Sequence, residues 1–211
     1  MDHLLNGIKN IIFDFGGVIL NLDFNQSFEA FKALGIENFD EMYSMAVQSE
    51  LFNQLETGSI EPDIFVENLK SQLPEGTTKL QIVDAWNAML LDIPEQRIEM
   101  LLQLKSKYRT FLLSNTNAIH YDKYVDELHK LHGHDSFASL FEKDYFSHTL
   151  GIKKPGREIY DYVIEKHGLA PDETLFIDDT EKNLKGAKES GLRTYLLPPN
   201  QEIVELFNKI F

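Results

Sequence analysis

At 211 residues, with 43% apolar and 26% charged side chains, the chain fits one globular domain or a domain carrying an insert, and it can bury a core without disulfides. It contains no cysteine, which excludes thiol catalysis, cysteine-ligated zinc and redox sensing and fits a cytoplasmic protein. Its 20 basic and 34 acidic side chains leave a formal charge of −14, a field that repels nucleic acid and anionic lipid, so neither is expected as a partner.

In chain order, the first element is an apolar run, Ile8–Asp14, which predicts a buried strand. The apolar stretch at Ile11 to Leu20 has no basic flank and no small-residue cleavage site, so no secretory signal is expected. No stretch reaches the roughly 18 apolar residues of a membrane helix. Residues 15–109 then separate the first strand from the second, far more than one crossover helix needs. Amphipathic periodicity within that gap predicts helices at Phe24–Leu34, Phe39–Ser49, Glu61–Gln72 and Thr78–Leu91, punctuated by Gly35, Gly58 and Pro74, with Asp23 as the first N-cap. Four further apolar runs predict strands at Thr110–Ser114, Tyr145–His148, Thr174–Asp178 and Arg193–Leu197. Helical segments such as Glu158–His167 and Lys182–Ser190 lie between them. Alternating strand and helix predicts an α/β fold with a doubly wound (Rossmann-like) parallel sheet, formed by residues 1–22 and 94–211. An α-helical insert over residues 23–93 follows strand one. His129, His132 and His134 cluster beside Gly133, Asp135 and Ser136, a pattern that fits a polar surface loop better than a metal site.

The residues with chemistry stand at strand ends, where open α/β sheets bind ligands. Asp14 closes the first strand in Ile-Ile-Phe-Asp-Phe-Gly-Gly-Val-Ile. Burying an unpaired charge there is costly, but a cap or turn carboxylate would look the same. Ser114, followed by Asn115-Thr116-Asn117, offers a hydroxyl and backbone amides to a phosphoryl oxygen, or simply caps a helix. Gly151-Ile152-Lys153-Lys154-Pro155 places a lysine just before a helix start, where it can meet an anion or remain solvated. Asp178 and Asp179 close the fourth strand side by side. Two adjacent carboxylates repel unless a cation shares them, and oxygen-only ligation points to Mg²⁺.

Asp14, Ser114, Lys154 and the Asp178–Asp179 pair, in that order on those strand tips, resemble the haloacid dehalogenase (HAD)-like phosphatases over essentially the whole chain. The insert is similar to that family's helical cap of the C1 type. The stretches around Phe13–Val18, Asp23–Asn25, Ser114–Asn117 and Leu150–Pro155 are similar to the α-D-glucose-1-phosphate phosphatase group. The resemblance implies a Mg²⁺-dependent phosphatase acting on a small phosphorylated metabolite, a sugar phosphate such as a hexose 1-phosphate, as monomer or homodimer. It implies that Asp14 attacks phosphorus and forms an aspartyl-phosphate. It further implies that Asp14, the Gly16 carbonyl, Asp178 and Asp179 hold the metal, supported by Asn183. Ser114, Asn115 and Lys154 would bind the phosphoryl group.

The chain departs from the family at Gly16, where most members carry a general-acid Asp, a group worth about 10² to 10⁴ in rate. An anomeric phosphate, whose leaving alcohol is relatively acidic, tolerates that loss best. Glu56, expected in a cap loop facing the site, and His120 are, with water, the candidate substitutes and substrate contacts, although a solvated Glu and a capping or surface His would look the same. A metal-free 2-haloacid dehalogenase is disfavoured by the Asp178–Asp179 pair. A catalytically weak or inactive phospho-ligand-binding protein draws support only from Gly16.

Overall fold

The computed structural model describes residues 4–36 and 50–208. Five parallel strands, β1 (Asn10–Phe13), β2 (Arg109–Ser114), β3 (Lys143–Phe146), β4 (Thr174–Asp178) and β5 (Arg193–Leu196), form one sheet in the order β3-β2-β1-β4-β5. This is the expected doubly wound arrangement. Alternate side chains of each strand enter opposite cores, as a pleat of period two requires. Ile11, Phe13, Leu112, Leu175 and Ile177 pack on one face, and Ile12, Phe111, Leu113 and Phe176 on the other. Helices cover both faces, so the strands read as unbroken apolar runs.

Between β1 and β2 lie α1 (Phe24–Ala33), α2 (Glu50–Glu56), α3 (Pro62–Lys70), α4 (Lys79–Asn87) and α5 (Glu95–Leu104). The first four share a core of their own, built on Phe31, Leu55, Phe65, Leu69, Ile82 and Trp86. Trp86 anchors it, with Phe65 edge-on at 4.7 Å and His120 stacked at 5.4 Å. Local capping starts two of these helices. Asp23 accepts from the Asn25 amide at 3.0 Å, and Thr78 and Gln81 form a capping box. The expected helix at Phe39–Ser49 lies outside the described residues. After β2 come α6 (Ala118–His132) and, after β3, α7 (Ser147–Leu150), α8 (Arg157–His167) and, after β4, α9 (Glu181–Glu189). No helix among the described residues is long and apolar enough to cross a membrane.

Three expectations need correction. The strand predicted at Tyr145–His148 runs instead from Lys143 to Phe146, and Ser147–Leu150 turns into a short helix closed by Gly151 at φ 73°. As an edge strand, β3 begins with an exposed lysine that the apolar run could not flag. Glu56 is the last residue of α2 rather than part of a loop. The histidine cluster is not a loop throughout, since His129 and His132 belong to the last turn of α6, with Gly133 as its left-handed C-cap. The three rings go separate ways, to Asp135 at 2.8 Å, the Ile93 carbonyl at 2.9 Å and Ser139 at 3.0 Å.

Candidate active site

The chain moves outward from β1 to β2 and β3, then returns to place β4 on the other side of β1. Ligand crevices form at such a reversal. The register puts Phe13 beside Ile177, and the Asp14 amide donates to the Ile177 carbonyl at 2.9 Å. Asp14 and Asp178 are therefore neighbours at the carboxyl edge, with Asp179 one residue further on. One oxygen from each of the three lies within 4.8 Å of the others, the only such acidic, histidine or cysteine grouping among the described residues.

The loop after β1 is shaped by backbone. The Phe15 carbonyl accepts from the amides of Ile19 at 2.7 Å and Leu20 at 2.9 Å, and Gly17 turns the chain at φ 74°. A side chain at Gly17 would run into the Asp179 carboxylate, so glycine is required there for space as well as for conformation. Arg97, buried and held by Glu202 at 2.9 and 3.1 Å, donates to the Ile19 carbonyl at 3.1 Å and pins the loop from below.

Lys154 closes the site from the opposite side. Its Nζ lies 2.7 Å from Asp14 Oδ1 and 2.8 Å from Asp178 Oδ2, and 5.4 Å above the Phe176 ring. Only 1% of its side chain is exposed, and none of that of Asp178. Burial raises the Asp14 pKa well above its ordinary value, against the opposing pull of the Lys154 ammonium. Burial alone would lower the Lys154 pKa, but Asp14 and Asp178 together more than offset it and hold the lysine charged. Asp179 is also pushed up, by burial first and then by Asp178. Asp178 is gripped by the Thr180 amide at 2.8 Å and by the Asn183 side-chain amide at 3.0 and 3.1 Å.

Ser114 ends β2, buried, with its hydroxyl making one long contact of 3.4 Å to the Asn115 carbonyl. Asn115 was expected to meet substrate. Its side chain pairs with the Lys154 backbone, donating to the carbonyl at 2.8 Å and accepting from the amide at 2.9 Å, and the residue also lines the site. Ser147 ties the same loop to the start of α7 by accepting from the Thr116 amide and donating to its carbonyl, both at 2.9 Å. The sequence reading missed Ser147, Arg97 and this role of Asn115, and no local pattern signals pairings so distant in the chain.

A cleft of about 580 Å³ brings Asp14, Lys154, Asp179 and Asn183 together with Glu56 and Lys153. It adjoins a cavity of about 150 Å³ walled by Leu22, Phe52, Trp86 and Met89, which Glu56, Ser114 and His120 also line. Glu56 reaches the cleft from α2 and pairs with Lys153 at 2.7 Å. Behind it Gly58 packs so closely on the His148 carbonyl that no side chain fits. His120 does not suit proton donation. Its Nε2–H donates to the Trp86 carbonyl at 3.2 Å, Nδ1 sits 3.2 Å from the Asn117 amide, and burial lowers its pKa to about 4. At neutral pH the ring carries no spare proton.

The model of haloacid dehalogenase-like hydrolases matches residues 8–191. The chain is 32% identical over 188 residues to the D-ribitol-5-phosphate phosphatase of Bacteroides thetaiotaomicron, covering 89% of this chain and 91% of that one. Among solved structures, a HAD family enzyme from B. thetaiotaomicron in complex with magnesium and inorganic phosphate superposes with a TM-score of 0.85 at 37% identity, covering 95% of this chain and 100% of that one. A HAD-like family hydrolase from Porphyromonas gingivalis gives a TM-score of 0.82 at 32% identity, covering 96% and 97%. With a family model matched over most of its length and a relative 32% identical across 89% of it, the chain belongs to the haloacid dehalogenase-like hydrolase family.

Proposed function

We propose that the chain is a Mg²⁺-dependent phosphatase that hydrolyses a small sugar or polyol phosphate through an aspartyl-phosphate on Asp14. The observation that carries this reading is a charge imbalance. Three clustered carboxylates face one buried ammonium, which leaves two negative charges that a single divalent cation balances. Oxygen donors suit Mg²⁺, and the magnesium and phosphate held by the Bacteroides enzyme support the same choice. Asp14, the Gly16 carbonyl, Asp178 and Asp179 would hold the ion. Once bound, Mg²⁺ would neutralise charge on the phosphoryl oxygens and polarise the phosphorus for attack.

The Phe15 amide at 2.6 Å and Lys154 at 2.7 Å both fall on Asp14 Oδ1, which orients the carboxylate and leaves Oδ2 to attack. Lys154 and the Ser114 hydroxyl hold phosphoryl oxygens as the leaving alcohol departs. Catalysis of this kind rests on positioning and charge neutralisation. Residues 23–93 act as a cap over the crevice, and the Glu56 carboxylate and the apolar wall around Trp86 receive the leaving group.

Two substrate classes fit. The absence of a carboxylate at Gly16 favours a leaving group that departs with little protonation, as from a hexose 1-phosphate. The likeness to a D-ribitol-5-phosphate phosphatase favours a polyol phosphate, whose primary alcohol needs a proton on departure and would draw on Glu56 or water. Phosphate release from p-nitrophenyl phosphate, α-glucose 1-phosphate and ribitol 5-phosphate, with Mg²⁺ or EDTA, separates these. Mg²⁺-dependent release that Asp14→Asn abolishes is expected. No release from any of the three by folded wild-type protein would move the reading to a phospho-ligand-binding protein.

A further inference from the structure

We propose that Asn115 is a positioning residue that sets the depth at which Lys154 enters the site, a role that rests on the phosphatase reading for its effect on rate. Lys154 Nζ must stand between Asp14 and Asp178, within 2.7 and 2.8 Å of their oxygens, at the end of a long flexible side chain. The side chain can hold that place only if its own backbone is fixed. Lys154 follows α7 in a connecting segment with no strand partner, so no sheet ladder fixes it.

Asn115 supplies the missing ladder. Its amide copies the two-way pattern of a β-bridge, with Nδ2 donating to the Lys154 carbonyl and Oδ1 accepting from the Lys154 amide. Asn115 directly follows the last residue of β2, so this clamp refers Lys154 to the rigid sheet. The paired Ser147–Thr116 contacts tie the next residue of the same loop to the start of α7, the helix that leads into Lys153 and Lys154. A carboxylate could not form both contacts, because it has no donor for the Lys154 carbonyl. Glutamine would reach too far, and alanine would leave the Lys154 amide and carbonyl without these partners. Displacing a catalytic group by about 1 Å can lower rate about 10²-fold.

Two measurements test this. The first is inorganic phosphate binding with Mg²⁺ present, by calorimetry, for wild type, Asn115→Ala, Lys154→Met and the double variant. If Asn115 acts through Lys154, Asn115→Ala weakens phosphate about 10-fold alone and less than about 2-fold once Lys154 is gone, the non-additivity of coupled residues. An undiminished loss in the Lys154→Met background would mean that Asn115 touches the anion itself and would overturn the proposal. The second is amide hydrogen exchange, which needs neither turnover nor the Lys154 variant. Asn115→Ala should speed exchange at Lys154 by about 10-fold or more while Ile12 and Phe176 stay protected, and Asn115→Asp should fall between. Unchanged exchange at Lys154 would overturn the proposal. Wild-type release of p-nitrophenol serves as the separate control, since its absence would count against the phosphatase and leave the exchange result standing.

Discussion

Lys154→Met is the sharpest test of how the site is held together. The substitution conserves length and apolar contact but removes the ammonium from between two buried carboxylates, Asp14 at 2.7 Å and Asp178 at 2.8 Å. Stranding buried charges in this way costs about 3–5 kcal/mol. At about 2–4 °C per kcal/mol for a chain of this length, the melting temperature in EDTA should drop by roughly 6–20 °C. Mg²⁺ at a hundredfold excess over its dissociation constant adds about 2.7 kcal/mol to either form, so the gap narrows only by the tighter metal binding expected of a variant with no ammonium competing for Asp14 and Asp178. Adding Asp14→Asn to Lys154→Met removes one stranded charge and should recover part of the loss without metal. Calorimetric scans of wild type and the two variants, each in EDTA and in Mg²⁺, supply the comparison. An apo melting temperature for Lys154→Met within about 2 °C of wild type would refute the account of Lys154 as the charge that makes the acidic cluster tolerable.

Asp14→Asn alone should lower phosphate release about 10³-fold or more and raise apo stability, because it removes a charge that burial disfavours. Burial lifts the Asp14 pKa above its ordinary 3.8, so apo stability should fall as pH rises from 3.8 through the raised value, and Asp14→Asn should flatten that decline in scans taken with EDTA. Gly17→Ala, whose new methyl group meets the Asp179 carboxylate, should weaken Mg²⁺ by about 10–100-fold in a calorimetric titration. His120, held neutral with a pKa near 4 against an ordinary 6.5, contributes stability that is lost as pH falls between those values. His120→Gln should therefore reduce the acid sensitivity of the melting temperature and leave the pH–rate profile above pH 6.5 unchanged. A shifted alkaline limb would restore His120 as a proton donor.

The central strands were legible because a parallel strand buried on both faces is apolar throughout, so that Asp14, Ser114 and Asp178 stand out where the run ends. β3 was misplaced for the complementary reason. It lies at the sheet edge, where Lys143 and Asp144 need not be apolar, and its apolar end runs on into α7 without a visible break. The helices α2, α5 and α6 were not read, and α6 buries only Ile119, Tyr124 and Leu128 among fifteen residues. Asp14, Asp178 and Asp179 stand together with Lys154 between the first two, while Ser114 lines the adjoining cavity. What local sequence does not encode is which neighbour engages which. Asn115 looked like a substrate contact and is engaged by the Lys154 backbone. His120, a candidate proton donor or a capping or surface histidine by sequence, has its Nε2 engaged by the Trp86 carbonyl. Glu56 meets Lys153 across 97 positions of chain, a pairing that only the folded arrangement of α2 over the sheet creates.

The strand order also dictates a timetable for synthesis. β1 occupies the centre of the sheet, but one of its two neighbours, β4, is encoded near the end of the chain. On a ribosome adding about 5–20 residues per second, Asp178 follows Asp14 by roughly 10–30 s. Throughout that interval Ile11, Ile12 and Phe13 present an unpaired edge on the β4 side, the kind of edge that recruits other chains. The nascent chain therefore carries an open sheet edge until its acidic centre is assembled, and conditions that slow elongation between β2 and β4 should reduce the yield of folded protein more than they reduce the yield of full-length chain.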